Sequence, residues 1–267
     1  MTILSSSART VGDIGRAPAR WLLGWWHIVF FGASLLVLAM APSSWKREAR
    51  TALLAHIYID TAPILAWFTV LCALLTLVIT RIVVVTALSY GLSQYALEMV
   101  IRVLVLELIP LTAALFVALR CTIPNGAALS AMRRDGQFDA ISRQGRDPVV
   151  ALVLPRALAG IFATITLAAL SCVVALVLAY LAVYGFTPAG IAAYTHVFGH
   201  VFNPSVALIF TLKTFFFSLA VSVIPMASGL YDVQGGGSRE SAALQGLVRM
   251  FAVLLILEAL SLAGNYS

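Results

Sequence analysis

Long apolar runs alternate with short polar stretches along almost the whole chain. Five runs have the length of membrane-spanning helices, at residues of about 53–80, 88–119, 149–184, 205–230 and 242–262. A helix needs about 20 apolar residues to cross a hydrocarbon core of about 30 Å. A helix also satisfies its own backbone hydrogen bonds in lipid, where no water is present to do so. The pattern therefore predicts an all-α polytopic membrane protein with five transmembrane helices.

A sixth apolar run, residues 21–42, is compatible with more than one role. Three tryptophans stand at or near its start, Trp21, Trp25 and Trp26, and tryptophan is enriched at membrane interfaces. The arginines before the run and the triplet Ala39-Met40-Ala41 also resemble a signal peptide with its cleavage site. By pattern alone, the run can span the membrane, lie in the interface or re-enter, or act as a targeting segment.

The distribution of positive charge favours the interfacial role. If 21–42 spanned the membrane from the inside, the eight cations of the loops between residues 46 and 146 would lie outside, against the positive-inside rule. If it lies in the cytoplasmic interface, twelve cations lie inside and only Arg81 lies outside. We therefore predict a cytoplasmic N-terminus with an interfacial or re-entrant helix over 1–50. A transmembrane domain follows over 51–267.

Composition supports the membrane class and narrows the chemistry. The chain is 61% hydrophobic and 10% charged, whereas about a quarter of residues are charged in soluble domains. The formal net charge of +6 is accounted for by cytoplasmic loops, so no nucleic-acid partner is predicted. The three cysteines have no metal or disulfide spacing. His196 and His200 have a helical i, i+4 spacing, but no carboxylate or cysteine is near in sequence, so no metal site is predicted.

The largest polar segment, residues 123–147, lies between the second and third spans. The pair Pro124-Asn125 predicts a helix start, and Gly145 with the pair Asp147-Pro148 predicts a stop. Apolar residues fall on one helix face, which Gly136 interrupts: Ala128, Leu129, Met132, Phe138 and Ile141. The segment is thus predicted to be an amphipathic cytoplasmic helix. It is either a solvated loop helix or a docking surface for a soluble partner.

This segment carries a family resemblance. The stretch QFDAISRQGRDPVVALVLPRALAG, residues 137–160, resembles the signature EQIDALxxMGxDPxxxLVxPRxLAG of MlaE-type (YrbE-like) ABC transporter permeases. Upstream, ELIPLTAALFVALR (107–120) is similar to the family's ELGPxLTALLVAGR. Downstream, Lys213 and Phe217 fit its KSxxFG, and Glu258 stands where the family usually has Asp. The resemblance covers about residues 90–260.

Several positions depart from the family pattern. Leu106 stands in place of the family's Arg, Ile109 in place of its Gly, and Ala128 in place of its Glu. The glycine-rich stretch after Arg120 is replaced by CTIPNGAA. The chain therefore resembles a divergent member of the family.

The resemblance implies a function and a set of partners. It implies the permease subunit of an ABC transporter that moves phospholipid or another hydrophobic lipid across or out of the bacterial inner membrane. The implied partners are an ABC ATPase dimer, an MCE-domain lipid-binding protein, and a second permease copy or paralogue. ATP and Mg²⁺ are expected to be used by the ATPase, because this chain has no G-x-x-x-x-G-K-[ST] loop. The chain itself is expected to be non-catalytic, without a bound cofactor or metal.

The resemblance also implies where the partner docks. The segment 123–147 becomes a coupling helix, whose face would lie in a groove of the ATPase. The charged and polar side chains predicted to make that contact are Arg133, Arg134, Asp135, Gln137, Asp139, Arg143 and Asp147. Such rim charges set register and specificity more than affinity.

Charges inside the spans are costly in lipid and need a partner, a cavity or the interface. Glu98 and Arg102 have an i, i+4 spacing and can pair on one helix. Arg102 and Glu107 are predicted to line a dimer-interface cavity and meet the lipid headgroup, or to be internally satisfied structural groups. Lys213 and Arg156 lie near predicted span ends, where long side chains can extend towards the interface.

Two other classes were compared with the permease. A secondary transporter tends to have inverted repeats and broken helices at mid-membrane, and no internal repeat is found. A membrane-embedded lipid-modifying enzyme would need a cluster of His, Asp or Ser at the membrane face, and the sequence shows no such constellation.

Overall fold

A computed structural model describes residues 24–45, 47–231 and 239–266, and within these ranges the chain forms helices and no strands. We label the helices α1 (Gly24–Met40), α2 (Arg47–Ser89), α3 (Tyr95–Arg134), α4 (Gln137–Arg143), α5 (Val149–Tyr184), α6 (Ile191–Val201), α7 (Pro204–Tyr231) and α8 (Arg239–Tyr266). Helices α2, α3, α5 and α7, with residues Ala243–Asn265 of α8, are long and apolar enough to cross a membrane. The prediction of an all-α protein with five spans is confirmed.

The spans pack through small residues. Helix α5 lies at the centre, with α2 on one side and α7 on another, and α8 packs on α7. The buried face of α5 is rich in alanine, glycine, serine and threonine. A Cβ added to Gly160 on this face would lie 2.8 Å from the Ser222 hydroxyl of α7. Small residues at these crossings let helix backbones approach closely, which supplies packing in lipid, where the hydrophobic effect between helices is absent.

Helix α1 is short, and both of its ends lie on the predicted cytoplasmic side. At its start, a Cβ on Gly24 would lie 2.7 Å from the guanidinium of Arg249. Just after its end, Ser44 lines a cavity with Arg146 of the loop before α5. One face of α1 is buried against the cytoplasmic half of the core, through Ile28, Phe31 and Leu35. At 17 residues, α1 is shorter than the five spans, and its interfacial position stays a prediction. Residues 1–23 of the predicted N-terminal region lie outside the described residues.

Helix α3 corrects the predicted start of the cytoplasmic helix. The span was expected to end near residue 119 and a separate helix to begin at Pro124, but the helix continues without a break to Arg134. It does so through a π-helical segment, Ala118–Thr122, directly before the proline. Such local π adjustments, together with Ser and Thr side chains, re-satisfy backbone groups freed by proline. Within this segment, Thr122 also donates its hydroxyl to the carbonyl of Ala118.

Two further differences concern the connections. The predicted single helix over 123–145 is divided at Gly136, whose φ of 73° ends α3 and starts the short helix α4. The predicted stop at Gly145 is correct, with a φ of 72°. The connection between α5 and α7 contains a further helix, α6, which the sequence analysis did not predict. Tyr194 anchors α6 by donating to the carbonyl of Leu176 at 2.9 Å, and burial raises the pKa of this phenol to about 12.

Candidate functional site

The predicted coupling residues form one charged surface on the side of the bundle that the sequence predicts to be cytoplasmic. Helix α3 projects beyond its apolar portion, turns at Gly136, and is followed by α4, so the whole segment is attached to the second and third spans at its two ends. Six of the seven predicted contact residues are exposed, and the seventh, Arg133, is partly exposed: Arg133, Arg134, Asp135, Gln137, Asp139, Arg143 and Asp147. The structure therefore brings all seven to the same exposed segment. We call this set the coupling surface.

A cleft lies within the coupling surface. It has a volume of about 580 Å³ and runs between the end of α3, α4 and the end of α7, where Gly229 and Leu230 form part of its wall. Phe138 stands at its centre, partly buried against the core, and the guanidinium of Arg133 lies 5.8 Å from the centre of its ring. An apolar floor with a charged rim is the arrangement expected of a docking site for another protein.

The base of the coupling surface is rigidly attached to the spans. A Cβ on Gly126 of α3 would lie 2.7 Å from the backbone oxygen of Pro225 in α7. Likewise, a Cβ on Gly229 would lie 2.6 Å from the oxygen of Gly126. The backbones of α3 and α7 are therefore in close contact at the base of the coupling surface.

Two contacts hold the loop between α4 and α5, one at the start of α5 and one to α2. Asp147 accepts a hydrogen bond from the backbone N–H of Val149 at 2.8 Å, which caps the start of α5. Asp147 is thus a helix cap as well as an exposed charge. Arg146 pairs with Glu48 of α2 at 2.5 Å, although both side chains are at least half exposed. Exposed pairs of this kind contribute about 1 kcal/mol or less.

A second set of charges is buried in the outer half of the spans. Lys213 of α7 contacts the carboxylates of both Glu107 of α3 and Glu258 of α8, the latter at 2.9 Å. Asn265 donates to the other oxygen of Glu107 at 3.3 Å. Only 2% of the Lys213 side chain is exposed, compared with 10% for Glu107 and 15% for Glu258. We call these four residues the ion cluster. The ion cluster connects α3, α7 and α8. At 1.5 Å per residue, Glu107 lies about 18 Å along α3 from Tyr95.

The ion cluster corrects one expectation for Lys213. The side chain does not extend to the interface; it also donates to the backbone carbonyl of Leu106 and lies 5.6 Å from the ring centre of Phe217. A lysine with so little exposure needs this set of acceptors, because an unpaired buried charge is strongly unfavourable. Arg156 is also buried, at 9% exposure, and donates to the carbonyl of Leu152 at 2.5 Å.

Arg102 and Glu107 occupy the same short segment but have different partners. Both lie in a π-helical stretch, Ile101–Leu108, and π turns are frequent at functional sites. Arg102 donates through Nε to Glu98 at 2.9 Å, as the sequence predicted. His200 of α6 lies 4.0 Å from the same Glu98 carboxylate. Sequence reasoning missed this neighbour because residues 98 and 200 are far apart in the chain.

The described residues contain no group of three or more His, Cys, Asp or Glu side chains placed to hold a metal ion. The features that stand out are thus the coupling surface and the ion cluster. Together with five spanning helices, they define a multi-pass helical membrane protein. The connection between its second and third spans, 135–148, is a structured and charged projection rather than a simple loop.

Comparison with known proteins places this architecture in a family. The family described as Permease MlaE matches residues 53–263, which include the coupling surface and most of the ion cluster. The chain belongs to the MlaE permease family. A similar protein, named "Probable ABC transporter permease protein", comes from Rickettsia felis (strain ATCC VR-1525 / URRWXCal2) and is 29% identical over 172 residues. That match covers 62% of this chain and 66% of the relative, just under two thirds of its length.

Proposed function

We propose that the chain is the membrane subunit of an ABC transporter that moves phospholipid or another hydrophobic lipid across or out of the bacterial inner membrane. A separate ATPase dimer supplies the energy, and ATP and Mg²⁺ are bound there. An MCE-domain lipid-binding protein and a second permease copy or paralogue complete the assembly. The observation that carries this proposal is the family match over residues 53–263.

The geometry of the coupling surface supports an ATPase partner. A charged projection with an apolar cleft offers a soluble domain both an anchor and a rim that sets orientation. Its base is locked to α7 by the backbone contact of Gly126 and Gly229. Closure of an ATPase dimer against this surface would thus move α3, α5 and α7 together.

The test is co-purification with the ATPase encoded for the same transporter. The triple variant Arg133→Ala, Arg134→Ala, Asp139→Ala is expected to lose most ATPase association and stimulation while folding normally, since these side chains are at least partly exposed. The matched control is Arg81→Ala, an exposed cation on α2 at the other side of the spans. Association that the triple variant leaves unchanged would refute the assigned docking surface.

A wild-type chain that transports lipid in vesicles without any ATPase would instead favour the secondary transporter. Chemical conversion of the lipid by the chain alone would favour the lipid-modifying enzyme. Either result would contradict the ABC permease proposal as a whole, whatever the behaviour of the coupling variants.

We further propose that the outer half of α3 receives the lipid headgroup. The described contacts of Arg102 use only its Nε, and a quarter of the side chain is exposed, so its two Nη groups can face an anionic phosphate. Glu107 contributes indirectly by holding Lys213 in place. In a reconstituted complex, Arg102→Ala is expected to slow lipid transport more than Arg81→Ala does. If Arg102→Ala and Glu107→Ala both leave transport intact, the headgroup hypothesis is wrong.

A further inference from the structure

A second buried acid, Asp60 on α2, lies apart from the ion cluster, in the cytoplasmic half of the spans. It is 8% exposed, and its Oδ2 accepts a hydrogen bond from the side-chain amide of Asn125 at 3.0 Å. Its backbone oxygen accepts from the thiol of Cys121 at 3.2 Å. Asp60 is thus hydrogen-bonded to α3, the span that leads into the coupling surface, while α2 itself packs on α5.

The hydrogen-bond partners of Asp60 lie close in sequence to the coupling surface. Asn125 lies on α3 nine residues before its end at Arg134, where the chain enters the coupling surface. Cys121 lies four residues before Asn125 on the same helix, so both cross-helix hydrogen bonds of Asp60 fall where the chain approaches that surface. Losing the bond to Asn125 would loosen α2 from the incoming end of the segment.

Simple helix packing does not account for a carboxylate here. An acid buried inside a span is costly and is retained where it has a partner and a task. Another buried polar residue further along the same helix, Thr76, donates to the carbonyl of Cys72 within that helix. Asp60 instead reaches across to Asn125, a contact between residues 65 positions apart.

We infer that Asp60 is a positioning residue for the coupling surface, because it ties α2 to α3 where the chain enters the segment that bears this surface. This inference rests on the proposed function for its biological meaning. Movement imposed on the coupling surface then reaches α2 as well as α3, α5 and α7. The energy of nucleotide-driven closure is passed to the bundle as one unit.

The first test follows amide hydrogen exchange in the purified full-length chain in lipid nanodiscs. Asp60→Ala is expected to speed exchange of the amides in 126–143 by about tenfold, the effect of losing one hydrogen bond to a charged group. Asp60→Asn keeps an acceptor for Asn125 and is expected to restore most of the protection. Thr76→Val, equally buried on the same helix, should leave those amides unchanged.

The second test separates positioning from folding. In the reconstituted complex, Asp60→Ala is expected to lower the lipid transported per ATP hydrolysed at least threefold, with Asp60→Asn intermediate and Thr76→Val normal, on the order of the hydrogen-bond energy above. The inference is overturned if exchange rises equally in all spans, if residues 126–143 do not respond, or if transport and hydrolysis fall in parallel. Absence of any ATPase complex with the wild-type chain would count against the proposed function, and the exchange experiment would still decide the role of Asp60.

Discussion

Replacing Lys213 by methionine is the sharpest perturbation of the ion cluster. Methionine keeps an unbranched apolar side chain of similar length but removes the ammonium group that contacts Glu107 and Glu258. The two carboxylates then face each other with only the amide of Asn265 as a donor. Because the lysine side chain is 2% exposed, solvent cannot replace its charge.

The magnitude can be worked out in two ways. Removing one partner of a buried ion pair costs about 3–5 kcal/mol. Alternatively, one glutamate must stay neutral; at pH 7 this costs about 1.36 kcal/mol for each unit above an ordinary pKa of about 4.3, or about 3.7 kcal/mol. The two figures agree, so we expect Lys213→Met to lower the free energy of unfolding by about 4 kcal/mol at pH 7. By the same arithmetic, at pH 5 the protonation cost falls to about 1 kcal/mol.

The assay is equilibrium unfolding in mixed micelles at both pH values. Glu258→Gln is the control, because it leaves a neutral Lys213–Glu107 pair and should cost about 1 kcal/mol or less. Adding Glu107→Gln and Glu258→Gln to Lys213→Met should recover most of the lost stability. A cost below about 1 kcal/mol for Lys213→Met, no rescue in the triple variant, or a defect that does not shrink at pH 5 would refute this reasoning.

Three further predictions address the crossings, the turn and the topology. Gly229→Ala should destabilise the chain by about 1–3 kcal/mol in the unfolding assay, because its Cβ would meet backbone. Gly199→Ala, with open space around its Cβ in helix α6, should instead stabilise the chain by up to about 1 kcal/mol. Gly136→Ala should cost about 1–2 kcal/mol, because φ is 73° there, and should speed proteolysis between α3 and α4 without changing that of α6. A membrane-impermeant maleimide should label Ser142→Cys only from the cytoplasm and His200→Cys only from outside, and the buried native cysteines should stay unlabelled; the reverse pattern would contradict the topology.

The spans were predictable because the bilayer imposes a length and a composition on any helix that crosses it. The span over 149–184 was predicted with its observed bounds, since Pro148 marks its start and Gly185 its end. Helix α6 was missed because the many small residues and the prolines of 185–204 indicate a loop, while its contacts with α3 and α5 stabilise a helix. The boundary at Pro124 was misplaced because the π-helical segment Ala118–Thr122 before the proline lets the helix continue to Arg134.

For the candidate sites, too, groups of residues contiguous in the chain were predictable, and contacts between distant residues were not. The residues of the coupling surface were found from local polarity and the family resemblance, because they are contiguous in the chain. The partners of Glu107 were not found, because Lys213 and Asn265 are more than 100 residues away and only the packed bundle brings them together. The bond between Asp60 and Asn125 has no local sequence signal for the same reason.

The most direct test of the central claim is native mass spectrometry of the chain purified from its own membrane in mild detergent. The account predicts a complex that contains two permease subunits, two copies of an ATPase and bound lipid, and that loses the ATPase when the coupling surface carries the Arg133→Ala, Arg134→Ala, Asp139→Ala substitutions. A chain that is recovered alone, or an ATPase that stays bound to this variant at the wild-type level, would contradict it.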